Sequence, residues 1–218
     1  MSISSEAFQD IIQELTRRPL ETNKYRNKAG EGKSQAFGLV NRRSLPADYS
    51  RLCWLRPYLY KLLLEFAVKY VKIPFTSITV NQNYKAAAHR DKGNKGDSFL
   101  VAFGDYTGGR LKVLEGGLAG EHDIRHTPLI TDFSKVLHEV EDFQGDRYSL
   151  VFYTLDPKEF EGFVMPPAPS VVQIGQKYFF KRGEEVIKGG LPHPLKGRKA
   201  GGTIRIERPP GGVMVSFA

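Results

Sequence analysis

The chain has 218 residues, 40% hydrophobic and 26% charged, with 32 Lys and Arg against 24 Asp and Glu for a net charge of +8. That composition excludes wholesale disorder and suits one compact domain with an appended segment. Cys53 is the only cysteine, which excludes an intrachain disulfide and fits a reducing, intracellular setting, nuclear or cytoplasmic. The longest apolar stretch, Leu62 to Val71, is interrupted by Glu65 and Lys69 and falls short of the ~18 residues of a membrane span. The start, MSISSEAFQD, lacks the basic and apolar stretches of a secretory signal. A soluble monomer without a membrane partner is the expectation. Charge is unevenly placed: residues 1–57 carry 10 basic against 6 acidic groups, 58–165 carry 13 against 15, and 166–218 carry 9 against 3. Cationic ends raise the local concentration of polyanions such as nucleic acid; plain solubility is the competing explanation.

In chain order, Ser4 and Ser5 can cap a first helix in which Phe8, Ile11, Ile12 and Leu15 recur on one face before Pro19 ends it. Glu21 to Asp48 reads as a long loop with one short strand, Ala36–Val40. Pro57 suits the first turn of a second helix with Leu59, Leu62, Leu63, Phe66 and Tyr70 on one side. From Pro74 the period changes. Phe75–Tyr84, Ser98–Tyr106, Arg110–Leu114, Ser134–Val140 and Arg147–Leu155 read as strands. This predicts an α+β domain around a β-sandwich or barrel. The Pro-rich stretch Met165–Pro169 is a linker, dividing a catalytic domain, 1–165, from a basic, β-rich extension, 166–218. Beyond it Val171–Phe180 and Thr203–Glu207 read as strands, and Val213, Val215 and Phe217 alternate after the turn Pro209–Gly212, as in a terminal hairpin.

Within AAAHRDKGN, His89 and Asp91 stand two apart, and in extended chain such residues project to one face. His138, in VLHEV, supplies a third ligand. Two imidazoles and one carboxylate on one face of a metal leave positions open for substrate and oxygen, the facial triad of non-haem Fe(II) oxygenases. Arg147 follows His138 across the turn DFQGD, with Ser149 two further on, so His138 and Arg147 can stand on adjacent antiparallel strands. A guanidinium with a hydroxyl makes a directional seat for a carboxylate; the plain alternative is an ion pair of Arg147 with Asp146 or Glu141. His122 and His126 read as exposed loop residues and not as a metal pair, and His193 as a loop residue. Tyr178, Phe179 and Phe180 beside Lys181 and Arg182 can stack on bases, with packing as the role of at least two of them.

These motifs resemble the Fe(II)/2-oxoglutarate dioxygenase superfamily, whose double-stranded β-helix carries an HxD…H triad and a downstream RxS. Within it, HRDKGNKGDS, GDYTGGRLKV and HEVEDFQGDRYSLVFYTL are most similar to the TET/JBP group of nucleic-acid base oxygenases. The resemblance covers about residues 75–155, and its closing pattern is shared with prolyl-hydroxylase-like members. It implies a jelly-roll, cupin-like core with N-terminal helices packed on it, Fe(II) on His89, Asp91 and His138, and 2-oxoglutarate on Arg147 and Ser149. It also implies a substrate contact by Asn94, where TET enzymes carry an Asn that bonds the target base; a plain turn residue is the other reading. The cysteine-rich zinc segment of animal TET proteins is missing. The second cosubstrate arginine is unplaced among Arg26, Arg42, Arg43 and Arg56. The expectation is oxidation of a base methyl group, on 5-methylcytosine or thymine, in nucleic acid and most simply DNA, with release of succinate and CO2. The alternatives are a protein side-chain (prolyl-type) hydroxylase and a catalytically silent β-barrel binding module.

Overall fold

A computed structural model describes residues 2–21, 30–42, 45–157, 164–188, 193–194, 201–207 and 214–217, with backbone alone for 187–188 and the last three stretches. By compactness the chain divides into Met1–Ala36 with Ser77–Asp156, and Phe37–Thr76 with Pro157–Ala218.

In the first unit a 3-10 turn, Ser5–Phe8, leads into α1 (Gln9–Arg17). Phe8, Ile11 and Leu15 are buried, as their helical spacing predicts. Ser4 stands at the N-terminus of the 3-10 turn but makes no side-chain cap bond; its hydroxyl instead bonds the Glu6 carboxylate. The large sheet holds β3 (Ser77–Ala86), β4 (Asn94–Gly108), β7 (Leu129–Thr131) and β9 (Phe143–Leu155) in the order β3-β9-β4-β7, with β1 (Gly30–Val40) outside β3. The small sheet is β6 (Gly120–His122), β5 (Leu111–Val113) and β8 (His138–Val140), in the order β6-β5-β8. His89 extends that sheet past β8. Its N–H donates to the His138 carbonyl at 2.9 Å and the reverse bond is 3.0 Å.

With His89 counted as an edge, the small sheet has four members facing β3, β9, β4 and β7 of the large one, and the chain passes back and forth between them, closing when β9 pairs between β3 and β4. That is the jelly roll, or double-stranded β-helix, within an α+β fold. The two sheets enclose a core of Leu100, Ala102, Tyr106, Leu111, Val113, Ile124 and Phe133. The outer face of the large sheet is covered too. Phe8 stacks on Phe103 at 4.5 Å between ring centres, and Phe103 on Tyr148 at 5.6 Å, which is why β9 reads as a nearly unbroken apolar run.

Several expectations shift. The segment read as a loop with one short strand contains an 11-residue strand, β1, whose small and polar first half hides its period. β6 and β7, three residues each, are too short to show one. His138 and Arg147 do not stand on adjacent strands, because Glu141 and Asp142 carry the chain from the small sheet to the large one. Each site residue therefore reaches the enclosed space from its own side.

In the second unit, β1 continues into a pair with β2 (Asp48–Tyr49), followed by α2 (Leu52–Leu55) and α3 (Pro57–Tyr70). Pro57 opens α3, and Leu59, Leu62, Leu63 and Phe66 are buried as predicted. A second antiparallel sheet runs β13-β12-β11-β10-β14-β15. Its strands are β10 (Pro169–Ile174), β11 (Lys177–Arg182), β12 (Glu185–Lys188), β13 (His193–Pro194), β14 (Gly201–Glu207) and β15 (Met214–Phe217). Val171–Phe180, read as one strand, is a hairpin turning at Gly175, and His193 lies in a strand and not a loop. Phe180 is fully buried against Tyr49, Trp54 and Tyr60, so packing is its role. Burial pushes the Cys53 thiol up to about 12, leaving it inert. The turn Pro209–Gly212 and the basic residues Lys196, Arg198 and Lys199 lie outside the described residues.

Gly104 fixes the ladder that carries the site. It pairs with Arg147, has φ +112°, and a Cβ there would lie 2.2 Å from the Asp146 carbonyl oxygen. Gly104→Ala should lower stability by about 2–4 kcal/mol in denaturant titration.

Candidate metal and anion site

His89, Asp91 and His138 each offer one ligand atom, and these atoms all lie within 4.8 Å of one another. His89 Nε2 is 3.3 Å from Asp91 Oδ1, and the two imidazole centres are 4.4 Å apart. The Nδ1 of His89 sits 2.7 Å from the Ala87 carbonyl, and that of His138 sits 3.1 Å from the Val136 carbonyl. Those carbonyls can only accept, so each Nδ1 carries the proton and each Nε2 keeps its lone pair for a metal. Burial lowers the pKa of His138, which keeps it neutral and ready to ligate. The donor set, two nitrogens and one carboxylate at one corner of a cavity, fits Fe(II) with open positions.

Asp91 is held from behind. The Asn94 amide nitrogen lies 3.3 Å from Asp91 Oδ2 and 3.4 Å from Ser98 Oγ, while the Asn94 N–H donates to the Asp91 carbonyl at 2.9 Å. An ionised carboxylate only accepts, so the Asn94 NH2 faces Asp91 and its Oδ1 is left to the cavity.

The cavity encloses about 200 Å³, and the triad shares it with Asn94, Arg147 and Ser149. All six residues singled out in the sequence are thus brought together. Arg147 is only 2% exposed. Its Nε donates to the Gly109 carbonyl at 3.1 Å, its Nη2 has no hydrogen-bond partner, and among the described residues it forms no ion pair. Asp146 instead accepts from Asn83, and Glu141 pairs with Lys112 at 3.1 Å. Burial pulls the guanidinium below its ordinary pKa. A buried cation without an acid costs several kcal/mol, and a bound carboxylate would relieve it. Gly109 permits the close seat, since a Cβ there would lie 2.9 Å from Arg147 Cδ.

Three supporting residues carry no sequence signature. Asn81 pairs with Ser149 across the ladder and donates Nδ2 to its Oγ at 3.0 Å. The Ser149 hydroxyl proton is therefore free to point at a ligand. Asn83 accepts the Arg147 N–H on Oδ1 at 2.7 Å and has φ +49°. This left-handed residue shifts the alternation of β3 by one: Thr79 and Asn81 face the cavity before it, Tyr84 and Ala86 after it. Tyr153 also lines the cavity. Along β9, Arg147, Ser149, Val151 and Tyr153 all face inward, a span of roughly 20 Å at ~3.4 Å per residue. Asn94 pairs with Leu155 at the Tyr153 end, so the cavity has an end lined by Arg147 and Ser149 and an opposite end lined by an aromatic ring and an amide.

His122 and His126 are half-buried, not fully exposed. His122 Nε2 contacts the Leu118 carbonyl at 2.7 Å, and His126 stacks on Phe8 at 5.2 Å. Among the described residues neither joins a metal cluster. Of the arginines considered for the cosubstrate, Arg26 and Arg43 lie outside the described residues, and Arg42 is engaged by the Pro46 carbonyl and by Asp48.

No family model and no curated protein matches the chain. Three solved structures are similar to it in fold. NgTET1 in complex with 5mC DNA has a TM-score of 0.46 and 14% identity, over 69% of this chain and 67% of that one. An oxidoreductase of the 2OG-Fe(II) oxygenase family from Burkholderia pseudomallei has a TM-score of 0.47 and 16% identity, over 66% and 75%. A Pseudomonas putida prolyl-4-hydroxylase has a TM-score of 0.42 and 15% identity, over 70% and 88%. Likeness at this level fixes neither reaction nor substrate, which rest on the site itself.

If Asn94 aims the Asp91 carboxylate, Asn94→Ala should weaken Mn(II) affinity by about 10- to 100-fold, read by electron paramagnetic resonance titration of free Mn(II). Unchanged affinity would remove Asn94 from the metal's surroundings.

Proposed function

We infer that the chain is an Fe(II)- and 2-oxoglutarate-dependent oxygenase acting on the methyl group of a nucleic-acid base, most simply in DNA. One observation carries the enzymatic reading: a buried guanidinium with no acidic partner among the described residues shares one cavity with a His-Asp-His cluster. A silent binding module has no use for that arrangement, because a buried unpaired cation is a standing cost.

His89, Asp91 and His138 would hold the iron, and Arg147 and the Ser149 hydroxyl the far carboxylate of 2-oxoglutarate. When bound, iron and 2-oxoglutarate supply the activation of dioxygen and the oxidative decarboxylation to succinate and CO2 that oxidise a substrate C–H bond. The protein's own work is placement. Arg147 and Ser149 fix one end of the oxo acid, the Nδ1 contacts fix the imidazole planes, and the apolar core residues Leu100, Ile124 and Val151 limit water.

The substrate end supports a base. Tyr153 offers a flat apolar wall and Asn94 an unpartnered amide oxygen, the pair of groups that recognise a planar ring with polar edges. The net charge of +8 favours a polyanionic partner. A peptide substrate is the second reading. Its support is a groove that shares Ala86 and Val140 with the cavity and is lined by Ala87, Ala88 and an acidic majority, Glu139, Glu141 and Asp142 against Lys85 and Lys112.

Alanine at His89, Asp91 or His138 should abolish succinate formation, since each removes one of three ligands. Full turnover in any of them would exclude that residue. Arg147→Ala should weaken 2-oxoglutarate binding by about 100-fold or more, as expected when a buried charge pair loses one partner. Arg147→Lys should recover only part of it. Mass spectrometry of nucleosides from methylated DNA and RNA incubated with iron and 2-oxoglutarate tests the substrate. A new oxidised base is expected. Succinate production stimulated by proline-containing peptides and by no nucleic acid would establish the second reading instead.

A further inference from the structure

Arg147 is not the only guanidinium in this part of the jelly roll that lacks an acidic partner among the described residues. Arg125 lies with Cζ 4.1 Å from the centre of the Tyr106 ring, and Arg147 Cζ lies 5.5 Å from the same centre. Arg125 Nη2 donates to the Tyr106 carbonyl. Its Nε is buried without a hydrogen-bond partner, as is the Tyr106 hydroxyl, and among the described residues its side chain joins no ion pair. Tyr106 is 3% exposed.

The sheet fixes this placement. Ala102 pairs with Ser149 on one side and bridges Arg125 on the other, so Arg125 and the carboxylate-facing serine stand in one row across β4. The Ala102 N–H donates to the Ile124 carbonyl at 2.9 Å and the His126 N–H to the Ala102 carbonyl at 2.8 Å, pinning the backbone on both sides of Arg125. The ordinary role of an arginine on an aromatic ring is packing. Three orphaned polar atoms in one cluster, two of them on cations that repel each other, are what packing alone does not explain.

We propose that Arg125 is the second cation of the anion seat, acting on the far carboxylate of the oxo acid through its charge and through its hold on Tyr106, while Arg147 makes the direct contact. This rests on the oxygenase reading above. An anion entering beside Arg147 relieves the repulsion between the two guanidiniums, so Arg125 strengthens binding of a ligand that carries the far carboxylate and is indifferent to one that lacks it.

The test is calorimetric titration of the Mn(II)-loaded protein, free of oxygen, with 2-oxoglutarate and with 2-oxopentanoate, which lacks the far carboxylate. Arg125→Gln should weaken 2-oxoglutarate roughly three- to tenfold, the size expected of a partly screened charge near a carboxylate. It should also flatten the salt dependence and leave 2-oxopentanoate unchanged. Arg125→Lys, which keeps the charge, should stay within about twofold of wild type. If Arg125→Gln does not fold, Arg125→Met replaces it, since its stem preserves the contact with Tyr106. Equal losses for both ligands, equal losses in the Lys and Gln variants, or no loss at all would each overturn the assignment and leave the oxygenase reading standing. Failure of the wild type to bind 2-oxoglutarate would overturn both.

Discussion

The site depends on one constraint: a positive charge held almost out of water, with no carboxylate paired to it among the described residues. The Arg147 side chain donates through Nε to the Gly109 carbonyl, and its Nη2 has no hydrogen-bond partner among the described residues. Folding must bear that cost, and it does so through a long antiparallel ladder. β9 pairs with β3 along one edge and β4 along the other, so Arg147, Ser149 and Tyr153 cannot slip relative to the strands that face them. A shift of one residue would turn all of them out of the cavity.

The residues of the His-Asp-His cluster are fixed differently. They lie at the weak edge of the small sheet, where His89 contributes a single bridge. Position there comes from paired local contacts: two mutual backbone bonds between His89 and His138, a carbonyl behind each imidazole, and an amide behind the carboxylate. The strong sheet thus sets Arg147 and Ser149 and the weak one sets the His-Asp-His cluster, and the cavity between them is where the two meet. A ligand spanning both would be gripped by elements that come from opposite sheets.

Much of this was legible in the sequence because the signals are local. The pair His89 and Asp91, the pair Arg147 and Ser149, and the β-branched runs each sit within a few residues, and all six proposed site residues meet in one cavity. What stayed hidden depends on distant pairing. Asn81 and Asn83 look like ordinary polar strand residues until β9 is laid beside them. Arg125 gains meaning only from the bridge to Ala102. β6 and β7 are too short for a period, and β1 is masked by its glycines. The relation of His138 to Arg147 was misread because a short turn suggests a hairpin, whereas here it carries the chain from one sheet to the other.

The central claim is that one cavity holds a metal and a carboxylate anion together, each strengthening the other's binding. The most direct measurement is calorimetric titration of 2-oxoglutarate into the wild-type protein, free of oxygen, with and without saturating Fe(II). The account predicts that metal tightens 2-oxoglutarate binding by tenfold or more, and by reciprocity that 2-oxoglutarate tightens metal binding by the same factor. Binding of 2-oxoglutarate with equal affinity in the presence and absence of metal would contradict it.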